Sequence, residues 1–219
     1  MPTVNEETKE VQFKLVFSGP ALSGKTNNVI AVHQALEEEQ RGDLISLNTS
    51  SDRTLFFDYL PVNPVLIEGY QTKFLLYTVP GQVVYNATRE LVLRGVDGLV
   101  FVADSDPERW DANLEAWRNL VSTLQNNGRD LSVIPLILQY NKRDLSNAVP
   151  LAQLESALNP HGCPSFEASA SNGQGVLETL EVLSSEVLRL FHEQRQRDEE
   201  QRLTEQHRQM RPSSGAAAW

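Results

Sequence analysis

Hydrophobic positions in this 219-residue chain switch repeatedly between a spacing of two and a spacing near 3.6. Residues 11–18 set Phe13, Leu15 and Phe17 against Lys14 and then become wholly apolar, which predicts a strand with a buried end. After a glycine loop, residues 26–39 read as a helix with Val29, Ile30, His33 and Leu36 on one face. His33 there is a half-buried packing residue rather than a ligand. Residues 65–68 and 72–79 predict two strands of a hairpin joined at Gly69. A short helix over 86–94 precedes a buried strand over 99–103. Asp106 and Pro107 then form an N-cap and first helical position. The helix they open runs to about Leu124, with Trp110, Leu114, Trp117, Val121 and Leu124 as a core stripe. Pro135 starts a strand over 136–140, since proline cannot donate to a central ladder. A helix over 150–158, a strand over 165–169 and a helix over 176–192 complete the pattern. The last helix buries Val176, Leu180, Leu183, Val187 and Leu190.

Strands alternating with helices imply an α/β fold: a mostly parallel sheet covered on both faces. Residues 1–10 read as an N-terminal extension, 11–192 as one domain, and 193–219 as a polar tail, helical or disordered. Within the tail Leu203 and Met210 are isolated apolar residues, and Glu193–Arg197 and Asp198–Arg202 stand at favourable i,i+4 spacing. Residues 212–219 read as loose.

Composition narrows the function. Net charge is −10, which places nucleic acid low among partners. Residues 192–211 hold five acids and five arginines, so the acidic excess lies in 1–191. No apolar stretch is long enough to span a bilayer, and the termini carry no signal peptide, myristoylation glycine or prenylation cysteine. A single cysteine, Cys163, excludes an intrachain disulfide and agrees with a reducing cytosol.

Four motifs then occur in order, each at the end of a predicted strand. Gly19-Pro-Ala21-Leu22-Ser23-Gly24-Lys25-Thr26 fits the phosphate-loop pattern in its required context between strand and helix. Backbone N–H groups of the loop, from Gly19 and Ala21 to Asn27, would surround phosphate. Lys25 would reach the β- and γ-phosphates, and the Thr26 hydroxyl would bind Mg²⁺. Asn141-Lys142-Arg143-Asp144 separates guanine from adenine nucleotides. The Asp144 carboxylate can accept from the ring N–H and the amino group of guanine, a donor pair that adenine lacks. Asn141 would bond the base edge and the loop, and the Lys142 stem would pack along the ring. Ser169-Ala170-Ser171 supplies a third contact, with the Ala170 N–H aimed at the guanine carbonyl oxygen; many GTPases have lysine where Ser171 stands. In Thr78-Val-Pro80-Gly81-Gln82, Gly81 would offer its N–H to the γ-phosphate and Gln82 would orient the attacking water.

Together these motifs resemble the Ras-like P-loop NTPases, a three-layer sandwich on a mostly parallel sheet with one antiparallel edge strand. The longer strings from Thr49 to Leu60, Tyr77 to Gln82, Leu91 to Asp104 and Gln139 to Leu145 are similar to the bacterial MglA family, over about residues 9–192. The resemblance makes residues 52–60 the first switch. Thr54 would sense Mg²⁺ and γ-phosphate, with Thr49 as a second candidate, and Arg53 would be an arginine finger in cis. It implies GTP, GDP and Mg²⁺ as ligands and a roadblock-fold MglB-type homodimer as activator. Effectors of the polarity or motility machinery would bind the GTP state. The protein would be cytoplasmic, recruited to a cell pole and monomeric alone. Two departures stand out. Thr78 occupies the place of the aspartate that usually supports Mg²⁺ through water, leaving Asp52 and Asp58 as candidates. The tail after about Gln194 exceeds the usual family length.

The motifs fit an enzyme-switch that hydrolyses GTP slowly, on the order of 10⁻⁴ s⁻¹ without a supplied charge. A non-hydrolysing nucleotide-gated scaffold is the alternative, and retention of both Gln82 and Arg53 favours the first. An ATPase is disfavoured by Asn141 and Asp144.

Overall fold

The computed structural model describes residues 2–48, 53–59, 69–79 and 86–210, with the backbone alone for 46–48, 53–59, 86–88 and 207–210. The strands are β1 (Thr3–Asn5), β2 (Glu10–Ser18), β3 (Ile45–Asn48), β4 (Arg53–Tyr59), β5 (Gln71–Thr78), β6 (Gly98–Asp104), β7 (Leu136–Asn141) and β8 (Ser165–Glu167). The helices are α1 (Lys25–Ala35), α2 (Asn86–Leu93), α3 (Trp110–Asn126), α4 (Leu151–Leu158) and α5 (Val176–Met210).

The sheet order is β3-β4-β5-β2-β6-β7-β8. β5, β2, β6, β7 and β8 run parallel. β4 is antiparallel to β5, and β3 pairs antiparallel outside it. β1 pairs antiparallel with residues 10–12 of β2, beside the point where β6 takes over at Leu15. Part of the expected N-terminal extension is thus a strand of the sheet. The pairings Ser18 with Phe101, Asp104 with Asn141 and Tyr140 with Glu167 align the carboxyl ends along one edge. That edge carries the motif loops, as open parallel sheets dictate.

Alternation along the strands builds two cores. Phe13, Leu15 and Phe17 of β2, with Val100 and Val102 of β6, face α1 and α5. Val16, Leu99, Phe101, Leu138 and Tyr140 face α2, α3 and α4. Helices therefore cover both faces, the three-layer arrangement expected from the α/β pattern.

Three elements differ from their sequence outlines. α1 ends at Ala35, and Glu38–Gln40 form a separate 3₁₀ turn. In α3 the most buried side chains are Asn113, Leu120 and Leu124, whereas Trp110 and Leu114 are half-buried and Trp117 meets Phe101 edge-on at 5.0 Å. In α5 it is Phe191, not Leu190, that makes the final core contact, edge-on to Phe13 at 5.2 Å. The expected strand over 65–68 lies outside the described residues. His33 is half-buried, with its ring nitrogens on Gly42 O and Arg41 Nη1.

Candidate functional site

The loop after β2 is held in a shape that only small residues allow. Gly19 has φ +141°, and a Cβ there would stand 2.3 Å from Val102 O. Gly24 has φ +96°, and its Cβ would stand 2.2 Å from Asn141 Nδ2. Leu22 also takes a left-handed φ, +65°, with its side chain 82% exposed. Gly24 then opens α1 without a side-chain cap, and no acid sits in the first turn. The first N–H groups of a helix have no intrahelical acceptor, so this end offers donors that an anion could accept. Lys25 is buried and folds back, its Nζ donating to Gly19 O at 3.1 Å and Pro20 O at 2.6 Å. Thr26 is half-buried, Asn27 exposed, and the buried Ser23 Oγ has no hydrogen-bond partner among the described residues. A chelating cluster of three His, Cys, Asp or Glu is absent among the described residues. Thr26 offers a hydroxyl oxygen, a donor type that suits a hard cation such as Mg²⁺.

Asn141 joins this loop to the one after β8. It is buried, donates Nδ2–H to Ser23 O at 2.7 Å, and accepts at Oδ1 from Ala170 N at 2.9 Å. The Ala170 N–H, expected to meet the guanine carbonyl oxygen, donates to Asn141 Oδ1 in this structure. Asn141 in turn uses both amide atoms on loops. Asp144 stands exposed beside this joint, accepting from Ser169 Oγ at 2.6 Å, which in turn contacts Ser171 Oγ at 2.8 Å. The Ser169 hydroxyl, with smaller help from the Asp144 N–H, Ser171 and Lys142, holds the Asp144 carboxyl below its usual range.

Three residues in the site escaped sequence reading. Asp104, at the end of β6, is fully buried and accepts from Lys142 Nζ at 2.6 Å and Asp106 N at 3.1 Å. Arg109 Nη2 donates to Ala21 O of the phosphate loop at 2.7 Å. Asn113 clasps the Asp104 main chain, accepting from its N at 2.9 Å and donating to its O at 2.8 Å. The available signal was an acid closing an otherwise apolar strand at the carboxyl edge.

A Ras family model matches residues 44–189. The mutual gliding-motility protein MglA of Myxococcus xanthus is 48% identical over 188 residues, covering 86% of this chain and 96% of that protein. The chain belongs to the MglA family of Ras-like small GTPases. More distant relatives include the Ras-related protein Rab-7b of Bos taurus and of Mus musculus, each 26% identical over 82% of this chain and 84% of theirs.

The residues expected to form the switches are only partly described. Arg53 and Thr54 begin β4, paired with Asn48 and Leu47. Since Phe56 pairs with Tyr77, the start of β4 lies at the carboxyl end of β5, the same edge as the phosphate loop. Asp58 lies farther along β4, while Thr49, Asp52, Pro80, Gly81 and Gln82 lie outside the described residues. Thr78, in the place of the usual aspartate, is buried at the end of β5. A cavity of about 850 Å³ opens at the opposite end of β7, lined by Trp117, Val121, Leu131, Pro135 and Leu190, and contains no motif residue. Among the described residues no helix is long and apolar enough to cross a membrane.

Proposed function

We propose that this MglA-family protein is a molecular switch that binds GTP and GDP and hydrolyses GTP slowly until an activating partner engages it. The observation that carries this reading is Asn141. One buried amide ties the uncapped end of α1 to the loop bearing Asp144, so phosphate and guanine are read by one rigid unit. Lys25, Gly19, Ala21, Leu22, Ser23, Gly24 and Asn27 form the phosphate side; Lys142, Asp144, Ser169, Ala170 and Ser171 form the base side. Mg²⁺ would neutralise charge building on the phosphates, held through Thr26 and Thr54. Gln82 orients water, Gly81 donates to the γ-phosphate, and Arg53 supplies positive charge in cis. The polarity or motility role, and an MglB-type roadblock homodimer as activator, rest on likeness to the Myxococcus xanthus protein, whose name links it to gliding.

Phosphate release from GTP, with and without that partner, tests the reading. Intrinsic turnover should be on the order of 10⁻⁴ s⁻¹ and rise about 10³-fold or more with the partner. Gln82→Leu should keep GTP bound and lose the stimulated phase, and Arg53→Ala should do the same. Full stimulation of the Arg53 variant would remove the finger from cis. No phosphate release under any condition, with GTP bound, would leave a nucleotide-gated scaffold.

A further inference from the structure

The buried carboxylate of Asp104 stands between the two halves of the nucleotide site. Its side chain is 0% exposed. A buried charge costs several kcal/mol unless it is paired and hydrogen-bonded. Asp104 spends Oδ1 on the N–H of Asp106 and Oδ2 on the Lys142 ammonium at 2.6 Å. Arg109 Nε stands 4.0 Å from the same Oδ2, an ion-pair distance, while Arg109 Nη2 donates to Ala21 O. Two cations from opposite sides thus converge on one anion. Lys142 belongs to the base loop, two residues before Asp144; Arg109 grips the phosphate loop.

Anchoring of the Asp104 main chain is already supplied by another group. Asn113 holds the Asp104 main chain through both its N–H and its C=O, which fixes the end of β6 to α3. The carboxylate adds nothing to that clasp. What it does fix is Lys142, a non-glycine residue with φ +65°, a conformation that costs about 1–3 kcal/mol and persists where surroundings over-determine it.

We infer that Asp104 is a positioning residue for nucleotide binding. It holds the Lys142 side chain over the base site and, through Arg109, couples that placement to the phosphate loop. This rests on the guanine-nucleotide reading above. Arg109 and Lys142 share the Asp104 Oδ2 atom as partner, so the carboxylate offsets their mutual repulsion and links the two placements.

The test is release of a fluorescent GDP analogue, mant-GDP, from full-length protein in Mg²⁺, alongside thermal melting. Asp104→Asn keeps volume and both backbone contacts of Asn113 but turns an N–H donor toward the Lys142 ammonium. Loss of one charge-assisted hydrogen bond predicts release faster by about 10- to 100-fold. The same substitution placed on Lys142→Met should add at most about threefold, because its target is already gone. A merely structural defect would instead multiply the two effects. Wild-type release rates in Asp104→Asn, or full multiplication in the double variant, would overturn the inference. A second cycle, Lys142→Met with Arg109→Gln, leaves Asp104 intact and serves if Asp104→Asn does not fold. Coupling between those two supports the link, and independent effects refute it. Failure of the wild-type protein to hold mant-GDP would instead refute the nucleotide reading itself.

Discussion

Asp144 can accept two guanine donors only as an anion. Its folded pKa is depressed, chiefly by the Ser169 hydroxyl, so it stays charged above its unfolded value and titrates only as pH falls through a value below the usual carboxylate range. Guanine affinity should therefore show no Asp144 titration between about pH 5 and 9. Asp144→Asn should turn the preference toward xanthine nucleotides, whose 2-oxo group meets the new amide. Competition with xanthosine and guanosine diphosphates measures this, and an unchanged guanine preference would remove Asp144 from base reading. Gly24 is equally constrained. An alanine there needs a left-handed backbone, about 1–2 kcal/mol, and its Cβ collides with the amide of Asn141. Gly24→Ala should weaken mant-GDP binding at least tenfold, since Asn141 must release Ser23 or Ala170 to make room. These residues were legible in the sequence because each sits in a short pattern with fixed chemistry. Asp104 and Arg109 were not, because their partners lie 38 and 88 residues away.

Among the elements, long apolar runs were easy to read. β2, β6 and β7 and the apolar part of α5 fall within a residue or two of their sequence outlines. β3 and β4 were missed: β3 has four residues, and β4 carries Arg53 and Asp58 where alternation would demand apolar side chains. Their stability comes from pairing with β5, a long-range term that no local window contains. Helix α1 stops early because Leu36 turns extended and buries its side chain, so three glutamates that look helical fall outside it. Close helix–sheet approach gives an element-level prediction. A Cβ on Gly98 would come 2.7 Å from Val187 and 3.0 Å from Leu183, so α5 rests directly on β6. Gly98→Ala should cost about 1–3 kcal/mol and lower Tm by several degrees, with guanine over adenine preference unchanged.

At the scale of the molecule, α5 continues to Met210, about 50 Å in all. The Arg195 guanidinium lies 5.9 Å from the Tyr70 ring centroid. Past that point Arg197 reaches back to Glu193, and Leu203 is 49% exposed. Such exposed pairs contribute a few tenths of a kcal/mol each. Deleting 196–219 should leave Tm within about 2 °C and nucleotide affinity unchanged. Deleting from residue 190 onward also removes Phe191 from Phe13, and Tm should fall by several degrees. A large Tm loss from the shorter deletion would mean that the tail rests on the domain. Lost partner binding with stability intact would make it a contact segment. The functional expectations depend on one property, a site that takes guanine nucleotides and refuses adenine ones. Equilibrium displacement of mant-GDP in Mg²⁺ measures it directly. GDP and GTP should displace the probe near stoichiometry, while ATP at a hundredfold excess should leave it bound. Displacement by ATP as effective as by GTP would contradict the guanine-specific switch.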